Sequence, residues 1–216
     1  MRQDKTGPAG WGLVRLFQRQ PGLRVWPAVG HQARISGTIV FDAHAAGCET
    51  IHDTYDVELT VPLAFPRLLP TVIELGGRIS KRFHTNPDRT LCLGSETRLK
   101  LLVAQEPTLP GFVERILIPF LYSHSFYERY GRLPFGELSH GSPGLLQDFA
   151  DLFGVSETAA LAMVRLATLK KRHANKSPCP CGSGYRVGKC HNTILNGMRS
   201  QLGRHWFRRQ LRQLSR

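Results

Sequence analysis

The apolar patterning of this chain changes period partway along, and that change limits the fold more than any other feature. Two-residue alternation is confined to the early part. Ala33 to Phe41 (ARISGTIVF) alternates, and Thr54 to Val61 sets Tyr55, Val57, Leu59 and Val61 against polar partners, as half-buried strands do. Pro62, Pro66 and Pro70 follow; each lacks an N–H and fixes φ, so the segment is an irregular crossing rather than helix or central sheet. Thr71 to Leu75 gives a third strand. Apart from a short amphipathic stretch at Trp11 to Phe17, helical spacing comes afterwards, at Glu96 to Ala104 and at Phe112 to Tyr130 with a bend at Pro119. It continues at Leu145 to Phe153, at Glu157 to Lys171 with Ser156 as N-cap, and at Ile194 to Leu214. Strands first and helices afterwards predict an α+β fold. The Gly/Pro-rich stretch from Arg132 to Gly144 is expected to be loop.

Charge divides the chain again. The net charge is +13, yet residues 1–157 hold 16 Lys and Arg against all 16 Asp and Glu. The excess comes from the 13 basic residues after Glu157, where no acidic residue occurs. The composition break places a boundary at Gly154, giving a neutral domain over 1–154 and a basic helical tail over 155–216. A chain of 216 residues, 41% hydrophobic and 21% charged, is long and apolar enough for a packed core. The absence of a long apolar run or secretory signal predicts a cytoplasmic protein with no membrane partner. The tail cations have three readings: a solvated face, a contact to nucleic acid, or a surface for an acidic protein. The stripe of Leu195, Met198, Leu202 and Trp206 argues against the first.

Five cysteines, three of them between Cys179 and Cys190, suit metal binding or nucleophilic chemistry better than a disulfide framework. Cys48, in an expected turn between strands, is read as incidental. Cys92 alone would be a small buried hydrophobe. Its surroundings, Phe83-His84-Thr85-Asn86-Pro87-Asp88-Arg89-Thr90-Leu91-Cys92-Leu93, resemble the active-site segment of ubiquitin-conjugating enzymes, where an aromatic and a His-Pro-Asn triplet precede the catalytic cysteine. Leu59-Thr60-Val61-Pro62, Phe65-Pro66 and Pro70-Thr71-Val72 are similar to that family's strand and proline crossing, in the same order. The resemblance covers residues 33–94. It implies a UBC-like antiparallel meander sheet flanked by helices, with Cys92 accepting an activated protein C-terminus as a thioester and passing it to a target amine. It gives Asn86 the role of oxyanion donor or loop brace and His84 a structural role. Thr85 stands where the family has proline, and Asn86 lies only six residues before Cys92. This compact form is similar to the bacterial branch, some members of which sit in anti-phage operons of the CBASS type. Their implied partners are protein targets and a cGAS-like nucleotidyltransferase. No Gly-rich nucleotide loop in a βαβ setting appears, so activation is expected to occur on another protein.

His124 and His140 lie in stretches that also resemble this branch. Each is read first as a hydrogen-bonded histidine. The sharper reading makes one of them a base beside Cys92, with His140 in its Gly-rich loop the better placed.

The run Ser177-Pro-Cys179-Pro-Cys181-Gly-Ser-Gly-Tyr-Arg-Val-Gly-Lys-Cys190-His191 offers four soft ligands, Cys179, Cys181, Cys190 and His191, to a structural zinc ion. It resembles the SEC-C motif, the zinc module at the SecA C-terminus, which implies a docking role. Three functions follow from these residues. The first is the thioester transferase. The second is a non-catalytic adaptor binding nucleic acid or protein through its zinc tail. The third is a Cys-His hydrolase, disfavoured because such cysteines begin helices whereas Cys92 lies in extended context.

Overall fold

The structure, a computed structural model, describes residues 8–134 and 141–215. It is α+β, with a four-stranded antiparallel sheet and several helices. A first helix, α1 (Leu13–Arg19), precedes β1 (Leu23–Val29), β2 (Gln32–Ala43), β3 (Ile51–Pro62) and β4 (Thr71–Glu74). Each strand pairs with its sequence neighbour, giving the order β1-β2-β3-β4. The alternation in the two central strands becomes burial. Ala33, Ile35, Ile39 and Phe41 of β2 and Tyr55, Val57, Leu59 and Val61 of β3 are all buried, and Ile35 faces Leu59 as Ile39 faces Tyr55.

The first strand carries no alternation in the sequence because it is an edge strand that buries only Leu23 among its described side chains. Pro27 sits beside a register shift between Trp26 and Val29, where a missing N–H does no damage to the ladder. Gly37 has a harder constraint. Its φ is +136°, and a Cβ there would lie 2.1 Å from the Gly22 carbonyl oxygen, so the two strands meet at a point only glycine permits.

The helical segments are α2 (Glu96–Gln105), α3 (Leu109–Phe112), α4 (Ile118–Tyr130), α5 (Gly141–Phe153), α6 (Glu157–Ala167), α7 (Lys171–Ala174) and α8 (Asn192–Leu214). The bend expected at Pro119 takes the form of a π turn over Val113–Leu117. Proline has no N–H and its ring crowds the carbonyl four residues back, and a wider turn just ahead relieves both. Ser156 caps α6 as expected, accepting from the Ala159 N–H. Helix α5 starts at Gly141, inside the stretch expected to be loop; residues 135–140, with the candidate His140, lie outside the described residues. Among the described residues no helix is long and apolar enough to cross a membrane.

The chain forms two compact units. The first holds α1, the sheet, α3 and α4. The second takes Ser95–Leu101, at the start of α2, together with α5 to α8. The division therefore does not fall near Gly154. Helix α5 stays with the tail because Phe149 and Phe153 are fully buried in one cluster with Met163, Val164, Leu195 and Phe207. The sequence break at that point is one of charge, whereas a compact unit follows apolar burial.

Candidate cysteine site and metal centre

The Cys92 segment is a small hairpin whose geometry its own residues dictate. Pro87 presets the turn, Arg89 takes a left-handed φ of 72°, and the Arg89 N–H donates to the Asn86 carbonyl. The arms are joined by Asn86 N–H to Thr90 O (2.8 Å), a bridge between Thr85 and Leu91, and Cys92 N–H to His84 O (2.7 Å). Asp88 accepts from the Thr90 hydroxyl at 2.7 Å and from its N–H at 3.0 Å, which holds the carboxyl below its ordinary pKa. The Leu91 N–H donates to Val72 O at 2.8 Å, fastening the hairpin to β4, and the buried Leu91 side chain anchors it. Cys92 follows directly, half-buried.

The predicted partners of Cys92 fall into place unequally. His84 sits opposite Cys92 across the hairpin and offers it a backbone carbonyl; its φ is +38°, and its ring meets Phe83 edge-on at 5.2 Å. Asn86 lies nearer the hairpin tip, and its side-chain amide donates to the Thr90 hydroxyl at 3.0 Å. Phe83 packs on α4 against Phe120, Tyr127 and His124, with ring centroids 5.9, 5.3 and 4.7 Å away.

His124 lies on α4. It is buried, and its Nδ1 lies 2.8 Å from the Tyr55 hydroxyl. Burial holds its pKa below the ordinary imidazole value. Around it is a polar network that the sequence did not announce. Tyr55 also meets Ser125 at 2.9 Å, and Ser125 donates to Asp53 at 2.7 Å. Ordered as His124 to Tyr55 to Ser125 to Asp53, each hydroxyl donates once and accepts once, so the chain ends on a carboxylate.

Arg78, just after β4, closes the network. It donates to both Asp53 oxygens at 2.8 and 2.7 Å and to Glu128 Oε2 at 2.9 and 2.6 Å, while its guanidinium lies 4.3 Å from the Tyr55 ring centroid. The pair moves both partners outward: Asp53 is held well below the usual carboxylate range and Arg78 well above its own. Burial pushes Tyr55 up to about 12. The available signal was Ser123-His124-Ser125 inside an otherwise apolar stretch of α4, with Glu128 one turn on.

In the second unit, Cys179, Cys181, Cys190 and His191 converge, their ligand atoms all within 4.8 Å of one another. A short ribbon holds the first two. Cys179 N–H donates to Tyr185 O at 2.8 Å and Val187 N–H to Ser177 O at 2.9 Å, while Gly182 and Gly184 take left-handed φ values of 80° and 75° in the turn between. Cys190 and His191 arrive at the start of α8. Cys179 and Cys190 each lie 3.2 Å from His191 Nδ1, Cys181 lies 3.3 Å from Cys179, and Cys190 is 3.5 Å from Cys181. Ligands about 2.3 Å from a tetrahedral zinc ion would be separated by roughly 3.7 Å, so the cluster is compatible with zinc and needs little expansion to hold it. The thiols are unlike: burial raises Cys179 to about 11, whereas bonds from Ser183 bring Cys181 down to about 6.

Scans against protein families, curated proteins and solved structures each return no match.

Proposed function

We propose that the first unit is a ubiquitin-conjugating-enzyme-like transferase that carries protein cargo as a thioester on Cys92. The observation that carries this reading is the hairpin: a half-buried cysteine directly after a buried anchor, fastened to the last strand of a four-stranded antiparallel meander. In the loading step the Cys92 sulfur attacks an activated C-terminal carboxyl; a C–S bond forms, the activating group departs, and the thiol proton passes to solvent or a base. In transfer, a neutral target amine attacks the thioester carbonyl, a C–N bond forms, the C–S bond breaks, and the proton lost from nitrogen passes to the departing thiolate or to solvent. Asn86 acts by bracing the hairpin through Thr90. The hydrolase reading loses ground because His124 Nδ1 is engaged by Tyr55.

The second unit supplies a zinc module on which Cys179, Cys181, Cys190 and His191 act as four structural ligands. With no open position, the metal would contribute folding free energy to a segment otherwise poor in core. The resemblance to bacterial conjugating enzymes makes anti-phage signalling of the CBASS type the setting, in the cytoplasm, with a cGAS-like nucleotidyltransferase as a cargo or target.

Intact-mass measurement tests this directly, on the chain expressed with the genes that neighbour its own. A protein adduct that thiol reductant removes from the wild type, that persists on Cys92→Ser and that is lost on Cys92→Ala is the expected result. Absence of any adduct, with Cys92→Ala retaining the cellular effect of the wild type, would sink the transferase and leave the adaptor.

A further inference from the structure

The zinc ribbon does more than hold ligands, because it displays side chains that the second unit's core does not use. Tyr185 is the clearest. Its backbone is pinned on both sides, with its carbonyl accepting from Cys179 and its N–H donating to the Ser183 hydroxyl, yet the residue is 62% exposed. A rigidly held aromatic facing water lacks the burial that normally repays its ordering.

The same ribbon places cations beside it. Pro178 pairs with Arg186, Val187 N–H donates to Ser177 O at 2.9 Å, and Gly188 N–H donates to Asn175 O at 3.0 Å. These bonds bring Lys176 on one arm alongside Arg186 and Lys189 on the other, all three exposed. Among the described residues one cation after Glu157, Arg209, forms an ion pair, with Glu96.

We infer that the second unit binds single-stranded nucleic acid, with Tyr185 stacking on a base while Lys176, Arg186 and Lys189 hold backbone phosphates. The combination favours this partner over an acidic protein. Centres of protein–protein interfaces are depleted in lysine and charge, whereas a basic track with an aromatic platform is how sequence-tolerant strands are held. The activity is independent of Cys92, so it stands or falls separately from the transferase.

The test is fluorescence anisotropy of the full zinc-loaded chain with a labelled oligothymidylate of about 15 nucleotides, with polyglutamate as competitor. Three phosphate contacts on a single strand predict a log–log salt slope of about −2.1, or about 20-fold weaker binding at 200 mM than at 50 mM salt. Lys176→Glu with Arg186→Glu abolishes binding at 150 mM salt, and Tyr185→Ala weakens it about tenfold while Tyr185→Trp restores it. Zinc content and far-UV circular dichroism of each variant establish that the module is intact. Salt-insensitive binding, or no binding, overturns the inference. Binding that polyglutamate displaces as well as unlabelled oligonucleotide does, with no dependence on Tyr185, overturns it in favour of an acidic protein partner.

Discussion

Replacing Arg78 by alanine should loosen the first unit by about 2 kcal/mol at pH 7. The guanidinium makes a paired contact to Asp53 and a second to Glu128. Charge-assisted bonds contribute about 1.5–3 kcal/mol each when dry. The Arg78 side chain is 36% exposed, so solvent screening cuts each pair to about 1 kcal/mol. Asp53, only 17% exposed, keeps its bonds from Ser125 and from the Thr54 N–H and so is not left bare. The pH dependence has a fixed sign. The folded pKa of Asp53 is depressed, chiefly by the bond from Arg78, so this stabilisation is fully present above the unfolded carboxylate value near 4 and is lost as pH falls toward the folded value. At most about 1.4 kcal/mol per pH unit can vanish below pH 4, so the gap between wild type and Arg78→Ala should narrow to about 1 kcal/mol at pH 3. Urea unfolding followed by tryptophan fluorescence measures it, in a Trp206→Phe background so that Trp11 and Trp26 report on the first unit alone. A gap under about 0.5 kcal/mol at pH 7, or one unchanged at pH 3, refutes the argument.

Phe207→Ala empties a fully buried site beside Phe149 and should cost about 3–5 kcal/mol, read from the unfolding transition of Trp206. Gly37→Ala drives a methyl into the Gly22 carbonyl and should cost on the order of 3 kcal/mol or more, seen as a lowered urea midpoint or insoluble expression. Elemental analysis should find one zinc per chain, and Cys190→Ala or a strong chelator should remove it along with hydrogen-exchange protection of the ribbon amides of Cys179 and Val187. Asn86→Ala should lower stability by about 1 kcal/mol through loss of the Thr90 bond while still permitting a Cys92 adduct, because its amide braces the hairpin; complete loss of loading in a folded variant would count against that role.

Much of the architecture could be derived before any coordinates. The strands at Ala33 to Phe41 and Thr54 to Val61 were legible because the side-chain period in a half-buried strand is two. The cysteine–histidine cluster was legible because four donors lie within thirteen residues, so local turns suffice to bring them together. Helix α6 announced its start through Ser156, whose capping bond reaches only three residues.

Features joining residues far apart in sequence, or depending on what covers a surface, were settled only by the tertiary structure. Strand β1 escaped because an edge strand with one buried described side chain has no pattern to show. The allegiance of α5 escaped because charge marks a break at Gly154 while Phe149 and Phe153 pack across it onto Phe207, more than fifty residues away. The Arg78 network escaped for the same reason: Asp53, Arg78 and Glu128 lie 25 and 50 residues apart, and only the sheet and α4 bring them within hydrogen-bonding distance. Asn86 shows both sides, since its place in the motif was evident but its commitment to Thr90 needed the hairpin to close. Local chemistry is written in neighbouring residues; pairing, burial and network formation are properties of the folded whole.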